Sequence, residues 1–357
     1  MRRYYPLTVE RLAAETADSR RIALHVPPEL RDLFDFVPGQ HLPVQAVRDG
    51  KRVRRTYSIC SVPGSGPLEI GVRLQPGGAF SGFVAEELEV GDTLEVMPPF
   101  GQFHAADRGR HGRTCLMFAA GSGITPILSI LRATLEREPH SRAVLFYGNR
   151  RQRTSMFIDD LYALKNRFTE RLSLYFLFSQ EGQEFPIFSG RLDAAKVREL
   201  HARFCVGPEP DEAFVCGPGT MSDAVGDTLV ELGLERARIH IERYGAPRAS
   251  RPRAARPATA AQAGESDITV IMDGHRRSFV MPRADENIVD GAARHGIDLP
   301  FSCKGGVCAT CRTLLRDGEV EMDANFGLEQ WEIEQGYILA CQSHPRSKRI
   351  VLDYDVT

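Results

Sequence analysis

Apolar residues in the first hundred positions come in short strand-like runs. LTVERL, RIALHV, HLPVQAV, RTYSICS, LEIGVRL and TLEVM are separated by Gly, Pro and Asp turns. Short strands at regular spacing predict an antiparallel β-barrel. One helix is expected at Gly82–Leu88. After Arg113 the rhythm changes. CLMFAA, AVLFYG, LSLYFLFS, AFVCG and RIHIERY are apolar runs, most of them separated by helical stretches of ten or more residues. That alternation predicts a parallel α/β sheet with helices on its faces. Near the C-terminus, ITVIMDGHRRSFVM places two alternating runs around Asp273-Gly274, a β-hairpin signal. A short helix over Asn287–His295, with Ile288, Ala292 and His295 on one side, follows. Strands near 313–315, 337–340 and 350–354 complete a small α+β unit.

One segment interrupts these patterns. APRASRPRAARPATAAQAG, from Ala246 to Gly264, has three prolines, four arginines and no large apolar residue. It reads as a linker, with a reach of roughly 25 Å as a coil and nearly 60 Å if extended. The expected organisation is therefore multidomain: barrel over 1–110, α/β nucleotide domain over 111–245, linker over 246–265, and α+β domain over 266–357.

Composition changes the picture in three places. A net charge of −2 over 357 residues offers no basic excess to neutralise phosphates, which excludes nucleic acid as a partner class. The uncharged run Thr114–Leu131 is broken by GSGITP, so no membrane span is expected. The N-terminus has no apolar core of a secretory signal. Eight cysteines without one favour a reducing, cytoplasmic setting. Cys60, Cys115 and Cys205 are expected to be small buried hydrophobes.

The remaining cysteines carry the strongest chemical signal. Cys303, Cys308, Cys311 and Cys341 form C-x4-C-x2-C…C, the spacing of a plant-type [2Fe–2S] centre. Gly305 and Gly306 allow the close main-chain approach that such a loop needs. Zinc and a disulfide pair are the alternatives; zinc sites prefer ligands paired at both ends, whereas one ligand here stands alone.

Four further clusters suit nucleotide cofactors. Arg55, Tyr57 and Ser58 form R-x-Y-S at a strand end, which suits a flavin: phosphate on the arginine, ring or ribityl chain on the tyrosine, serine near the reactive nitrogen. Gly77, Gly78 and Ser81 precede the expected helix, where amides and a hydroxyl can hold a pyrophosphate. Two phosphate features about 20 residues apart fit FAD better than a mononucleotide flavin. Gly121, Gly123, Thr125 and Pro126 lie in GSGITP, between a strand and a helix, the setting of a phosphate cradle. Cys216, Gly217 and Pro218 end another strand at the sheet's carboxyl edge, where a thiol can meet a nicotinamide. Asn149, Arg150, Arg151 and Arg153 follow a strand where arginine accommodates a 2′-phosphate, which favours NADPH over the alternative donor NADH. In HIERY, alternation puts His240, Glu242 and Tyr244 on one strand face.

In this order the motifs resemble the ferredoxin–NADP reductase superfamily. The C-terminal part resembles a plant-type ferredoxin of the β-grasp fold. The resemblance implies that Ser58, Cys216, Glu242 and Tyr244 surround the flavin and nicotinamide. PGQHL, YSIC, AAGSGITP, YGNR, DEAFVCGP and LPFSCKGGVCATC look most like the phenylacetate-degradation reductases. That likeness implies electron flow from NADPH through FAD and [2Fe–2S] to the subunits of a multicomponent di-iron oxygenase acting on a CoA ester. An aromatic-ring or alkane oxygenase is the alternative customer; a redox sensor without turnover and a free-standing flavin reductase are rival functions. Between Asp317 and Gln335 stand seven acidic residues and no Lys or Arg, expected to steer a basic partner or the reductase body.

Overall fold

The computed structural model describes residues 3–104, 112–205, 209–244, 264–283 and 286–356. The expected linker thus lies, but for its last two residues, outside the described residues. Two compact units make up the chain: the larger holds 5–53 and 57–244, and the smaller holds the residues after 244 together with 1–4 and 54–56.

The larger unit begins with β1 (Tyr5–Thr16), β2 (Ser19–His25), β3 (His41–Arg48), β4 (Lys51–Ser58), β5 (Leu68–Arg73) and β6 (Thr93–Val96). They form one sheet in the order β4-β3-β6-β1-β2-β5. A bridge between Ile59, just past β4, and Ile70 of β5 joins the two edges and closes the barrel. Leu7, Val9, Ile22, Leu24, Leu42, Val44, Leu94 and Val96 fill it. Helix α1 (Ala79–Glu86) begins three residues before the expected start. Burial of Phe80 and Val84, one turn apart, sets that start. Gly82 inside the helix looked like its beginning; a Cβ there would lie 1.9 Å from Nη1 of Arg48, whose guanidinium crosses to the Ala79 carbonyl.

Next come β7 (Thr114–Ala120), α2 (Ile124–Arg137), β8 (Arg142–Asn149), α3 (Ile158–Arg167), β9 (Leu172–Phe178), α4 (Ala194–Phe204), β10 (Glu212–Pro218), α5 (Gly219–Glu231) and β11 (Ile239–Tyr244). The strands pair in parallel in the order β11-β10-β7-β8-β9. Cys115, Met117 and Ala119 of β7 enter one core, Leu116 and Phe118 the other, which is why these strands read as unbroken apolar runs. Strand order reverses between β7 and β10, so a crevice opens at their carboxyl ends. A charged seam ties barrel to sheet: Arg21 of β2 and Arg132 of α2 both pair with Asp160 of α3, and Glu15 accepts the Phe157 amide at 2.7 Å.

The smaller unit holds β12 (Glu265–Met272), β13 (His275–Pro282), α6 (Ile288–Arg294), β14 (Arg312–Asp317), β15 (Val320–Met322), α7 (Gln330–Glu334), β16 (Tyr337–Leu339), β17 (Ser343–Pro345) and β18 (Arg349–Asp353). Its mixed sheet runs β13-β12-β18-β14-β16, with β12 and β18 parallel and the other pairs antiparallel. The Asp273-Gly274 turn has φ of 53° and 74°, as a two-residue hairpin turn requires. His295 leaves the expected apolar face: it caps the end of α6 and is exposed, while Ile288, Val289 and Ala292 are buried. The short strands β15 and β17 pair only with each other and have no apolar period to announce them.

Candidate flavin, nicotinamide and iron–sulfur sites

Three of the expected residues meet at the crevice. Ser58 ends β4, Cys216 lies in β10, and Glu242 stands beside Cys216 in the β10–β11 register. The Ser58 hydroxyl donates to Oε2 of Glu242 at 3.1 Å, and the Cys216 thiol donates to the same oxygen at 3.8 Å. The other oxygen, Oε1, faces Nδ1 of His41 at 3.4 Å. His41 opens β3 and is buried. Sequence reading missed it because histidine within PGQHL matches none of the chemical motifs. For Tyr244 the backbone alone is described; it pairs with Pro218 at the strand end.

The cradle loops pack tightly where they touch protein and stay open elsewhere. Gly121–Gly123 form a 3-10 turn leading into α2, with Thr125 and Pro126 in its first turn. The Gly121 carbonyl accepts from Tyr147 Oη at 2.9 Å, and the Ser122 carbonyl accepts from Thr125 Oγ1 at 3.0 Å. Gly77 and Gly121 have φ of 71° and 56° and meet open space: a Cβ at either would touch nothing within 4 Å. Main chain with vacant volume before it fits phosphate groups. Tyr57 lays its half-buried ring 5.3 Å from that of Phe80, and Arg55 is exposed on the same strand with Nη1 on the Arg54 carbonyl at 2.7 Å. Ser81 is turned inward, where its Oγ accepts the Gln75 amide at 3.0 Å and shapes the Gly77-Gly78 turn. At the end of β8, Arg151 and Arg153 line an open cleft of about 550 Å³ with Gln152, Gln180 and Glu181. Glu181 accepts the Gln152 amide there at 2.8 Å.

The four cysteines of the smaller unit form two pairs. The amides of Gly305 and Cys308 point at the Cys303 sulfur at 3.3 and 3.4 Å, and the Cys303 amide points at Cys308 at 3.4 Å. The Cys341 amide points at Cys311 at 3.5 Å. Hydrogen bonds from Cys303 and Thr310 hold the Cys308 thiol below its ordinary range, and one from Cys311 does the same for Cys341. All four are free thiols. Among the described residues no three His, Cys, Asp or Glu side chains converge on a single ion. Amides aimed at sulfur are what the thiolates of a [2Fe–2S] centre would need. Gly306, at φ 73°, lets the loop pass where a Cβ would stand 2.8 Å from the Ala324 carbonyl. The other thiols are inert: burial raises Cys60 strongly, Cys115 to about 12 and half-buried Cys205 to about 11.

The acidic strip is partly compensated within its own domain. Asp317 pairs with Arg349, Glu321 with Arg346, Asp323 with His344 and Glu332 with Arg312. Its steering field is weaker than the bare sequence suggested, because the balancing cations come from β14, β17 and β18 or their ends.

Fold and sites together define an oxidoreductase that uses a nicotinamide nucleotide, FAD and a [2Fe–2S] centre. Family models for an oxidoreductase FAD-binding domain, an oxidoreductase NAD-binding domain and a 2Fe-2S iron-sulfur cluster binding domain match residues 6–105, 117–227 and 270–346. Over 357 residues the chain is 40% identical to one of the subunits of the 1,2-phenylacetyl-CoA epoxidase of Escherichia coli, covering 99% of each. It is 34% identical to the ferredoxin reductase component of 3-ketosteroid-9-alpha-monooxygenase from Rhodococcus rhodochrous, covering 98% of this chain and 96% of that one. Phthalate dioxygenase reductase shares the fold across 98% of both chains, with a TM-score of 0.61 and 24% identity. The chain belongs to the family of ferredoxin–NADP reductase-type flavoproteins with a C-terminal plant-type ferredoxin domain that includes the first two of these proteins. Among the described residues, no helix is long and apolar enough to cross a membrane.

Proposed function

We propose that this protein is the electron-supplying component of a phenylacetyl-CoA epoxidase, passing electrons from NADPH through FAD and [2Fe–2S] to a di-iron oxygenase. The observation that carries the reductase chemistry is the convergence of Ser58, Cys216 and Glu242 at the switch point of the sheet. Likeness along the full chain to the Escherichia coli epoxidase component supports the customer. FAD, when bound, accepts electrons in pairs and releases them singly, which a [2Fe–2S] centre requires.

The residues supply placement. Cys216 and Gly217, both buried, would back a nicotinamide from the strand end, and the GSGITP turn would take its pyrophosphate. Glu242 orients the Ser58 hydroxyl toward the reacting edge of the flavin. Tyr57 and Arg55 would hold its ring side and phosphate, and Tyr244 at the end of β11 is the further aromatic residue suited to the flavin. Cys303, Cys308, Cys311 and Cys341 hold the irons. Their aimed amides stabilise the charge on sulfur.

Arg150, Arg151 and Arg153 underlie the preference for NADPH. The double replacement Arg151→Ala with Arg153→Ala should lower kcat/KM for NADPH by about 100-fold, the loss of roughly two charge-assisted hydrogen bonds at ~1.5 kcal/mol each. The value for NADH should stay within about twofold by the same argument. Equal loss with both donors would overturn the preference. The customer is tested by anaerobic NADPH titration with the oxygenase subunits of the epoxidase. Reduction of the oxygenase only when this protein is present is the expected result. Failure there, with reduction of a steroid or aromatic-ring oxygenase, would retire the epoxidase and keep the reductase.

A further inference from the structure

We propose that Glu15, on barrel strand β1, is a positioning residue for the nicotinamide nucleotide: it anchors the base of the loop that carries Arg151 and Arg153 and so sets the preference between NADPH and NADH. The inference deepens the reading above and rests on it. The loop runs from Arg151 to Phe157 and joins β8 to α3. Its tip is exposed at Arg151, Gln152 and Arg153, and its base is buried at Ser155, Met156 and Phe157. Long side chains on an exposed tip take their direction from the main chain beneath them. That main chain folds onto itself: the Arg151 carbonyl accepts from the Thr154 amide at 3.2 Å and from the Ser155 hydroxyl at 3.1 Å.

The start of α3 explains why the barrel is needed. Phe157 precedes the first helical turn, and its side chain makes no capping bond. Asp160 stands three residues on, where a carboxylate could reach back to the Phe157 amide. It is taken instead by Arg21 of β2 and Arg132 of α2. Glu15 fills that role from the barrel. Its Oε1 accepts the Phe157 amide at 2.7 Å, and its Oε2 pairs with Arg21 at 2.9 Å. The Arg21 guanidinium also lies over the Phe157 ring, 4.6 Å from its centroid. Phe157 has φ of 58°, a left-handed conformation that a residue with a side chain keeps only where its surroundings hold it.

Two neighbours on β5 complete the support. Arg73 pairs with Asp18 and donates to the Thr154 carbonyl at 2.9 Å. Gly71 lets both nucleotide loops reach the barrel: a Cβ there would stand 2.9 Å from side-chain atoms of Met156, Phe157 and Thr125. The Glu15 side chain is 13% exposed, so its bonds are shielded from the water that weakens surface pairs. Removing its carboxylate frees the Phe157 amide and lets the loop turn about its base. The tip arginines then lose their fixed distance from the GSGITP turn. A nucleotide with a 2′-phosphate needs that distance, and one with a free 2′-hydroxyl does not.

Two measurements on the full-length holoenzyme test this. In Glu15→Ala the ratio of kcat/KM for NADPH to that for NADH should fall about tenfold, the loss of one charge-assisted hydrogen bond. The fall should lie in KM for NADPH, with kcat for both donors within about twofold. Glu15→Gln keeps an oxygen for the Phe157 amide and should recover the ratio to within about threefold of the parent. An unchanged ratio in Glu15→Ala, or equal loss with both donors, overturns the positioning. Hydrogen–deuterium exchange at the Phe157 amide should quicken about tenfold in Glu15→Ala, because a local anchor has been removed. Unchanged exchange overturns the anchor. A parent that shows no preference for NADPH overturns the underlying reading and the selectivity with it, while the exchange result still reports on the anchor.

Discussion

Cys308→Ser is expected to stop electron delivery to one-electron acceptors while leaving nicotinamide oxidation at the flavin in place. Cys308 is the buried sulfur that the Cys303 amide and Thr310 Oγ1 approach at 3.4 and 3.1 Å. A serine oxygen is harder and shorter than a thiolate, and it binds iron poorly in a site shaped for sulfur. Loss of an outer-shell partner alone costs about 10–100-fold at a metal site, so removal of a ligand should cost more than about 100-fold in cytochrome c reduction. The reduced variant should lack the iron–sulfur electron-paramagnetic signal. Stopped-flow bleaching of the flavin by the reduced nicotinamide should keep its rate, because the crevice around Ser58, Cys216 and Glu242 belongs to the other unit. A full rate of cytochrome c reduction in this variant would mean that the flavin serves the acceptor directly.

The second large effect is expected at Gly123. Its added Cβ would stand 2.2 Å from the Cys216 carbonyl oxygen, 2.6 Å from the carbonyl carbon and 3.0 Å from the Gly217 nitrogen. All three are main-chain atoms and cannot rotate away. Gly123→Ala must therefore drive the two nucleotide loops apart by about 1 Å, a displacement that costs roughly 100-fold when it lies between reacting groups. Flavin reduction by the reduced nicotinamide should fall by that factor. Thermal unfolding should also shift downward, since overpacking of this kind costs about 1–3 kcal/mol. A normal rate of flavin reduction would show that the nicotinamide does not lie between these loops. Cysteine-bound iron should be retained at the parent level, which separates this variant from Cys308→Ser.

Much of this arrangement was legible along the chain. All six barrel strands and all five sheet strands were announced by apolar runs, because each run is bounded by Gly, Pro or Asp and buries at least one face. Helix α1 was misplaced by three residues, since Gly82 reads as a breaker until the Arg48 guanidinium that needs its missing Cβ is in view. The three-residue strands β15 and β17 were invisible for a different reason. Their pairing is non-local and too short to leave a period.

Site residues divide in the same way. The cysteine spacing is local, and two structural pairs realise it. Ser81 has the residue type and position expected of a phosphate contact, yet its hydroxyl closes the turn before α1. The acidic strip read as a free negative face, because the arginines that pair with it lie elsewhere in the sequence, on neighbouring strands.

What the sequence by itself determined is the set of cofactors and the three architectures, since both are written in short-range spacing: thiols within one loop, glycines at strand ends, apolar periods within one element. What only the tertiary structure decided is which polar side chains share a site. His41 and Glu242 lie on different sheets and meet because the barrel closes against the carboxyl edge of the parallel sheet. A half-buried carboxylate has to find its partner in space, and space, unlike spacing, is set by how the layers pack.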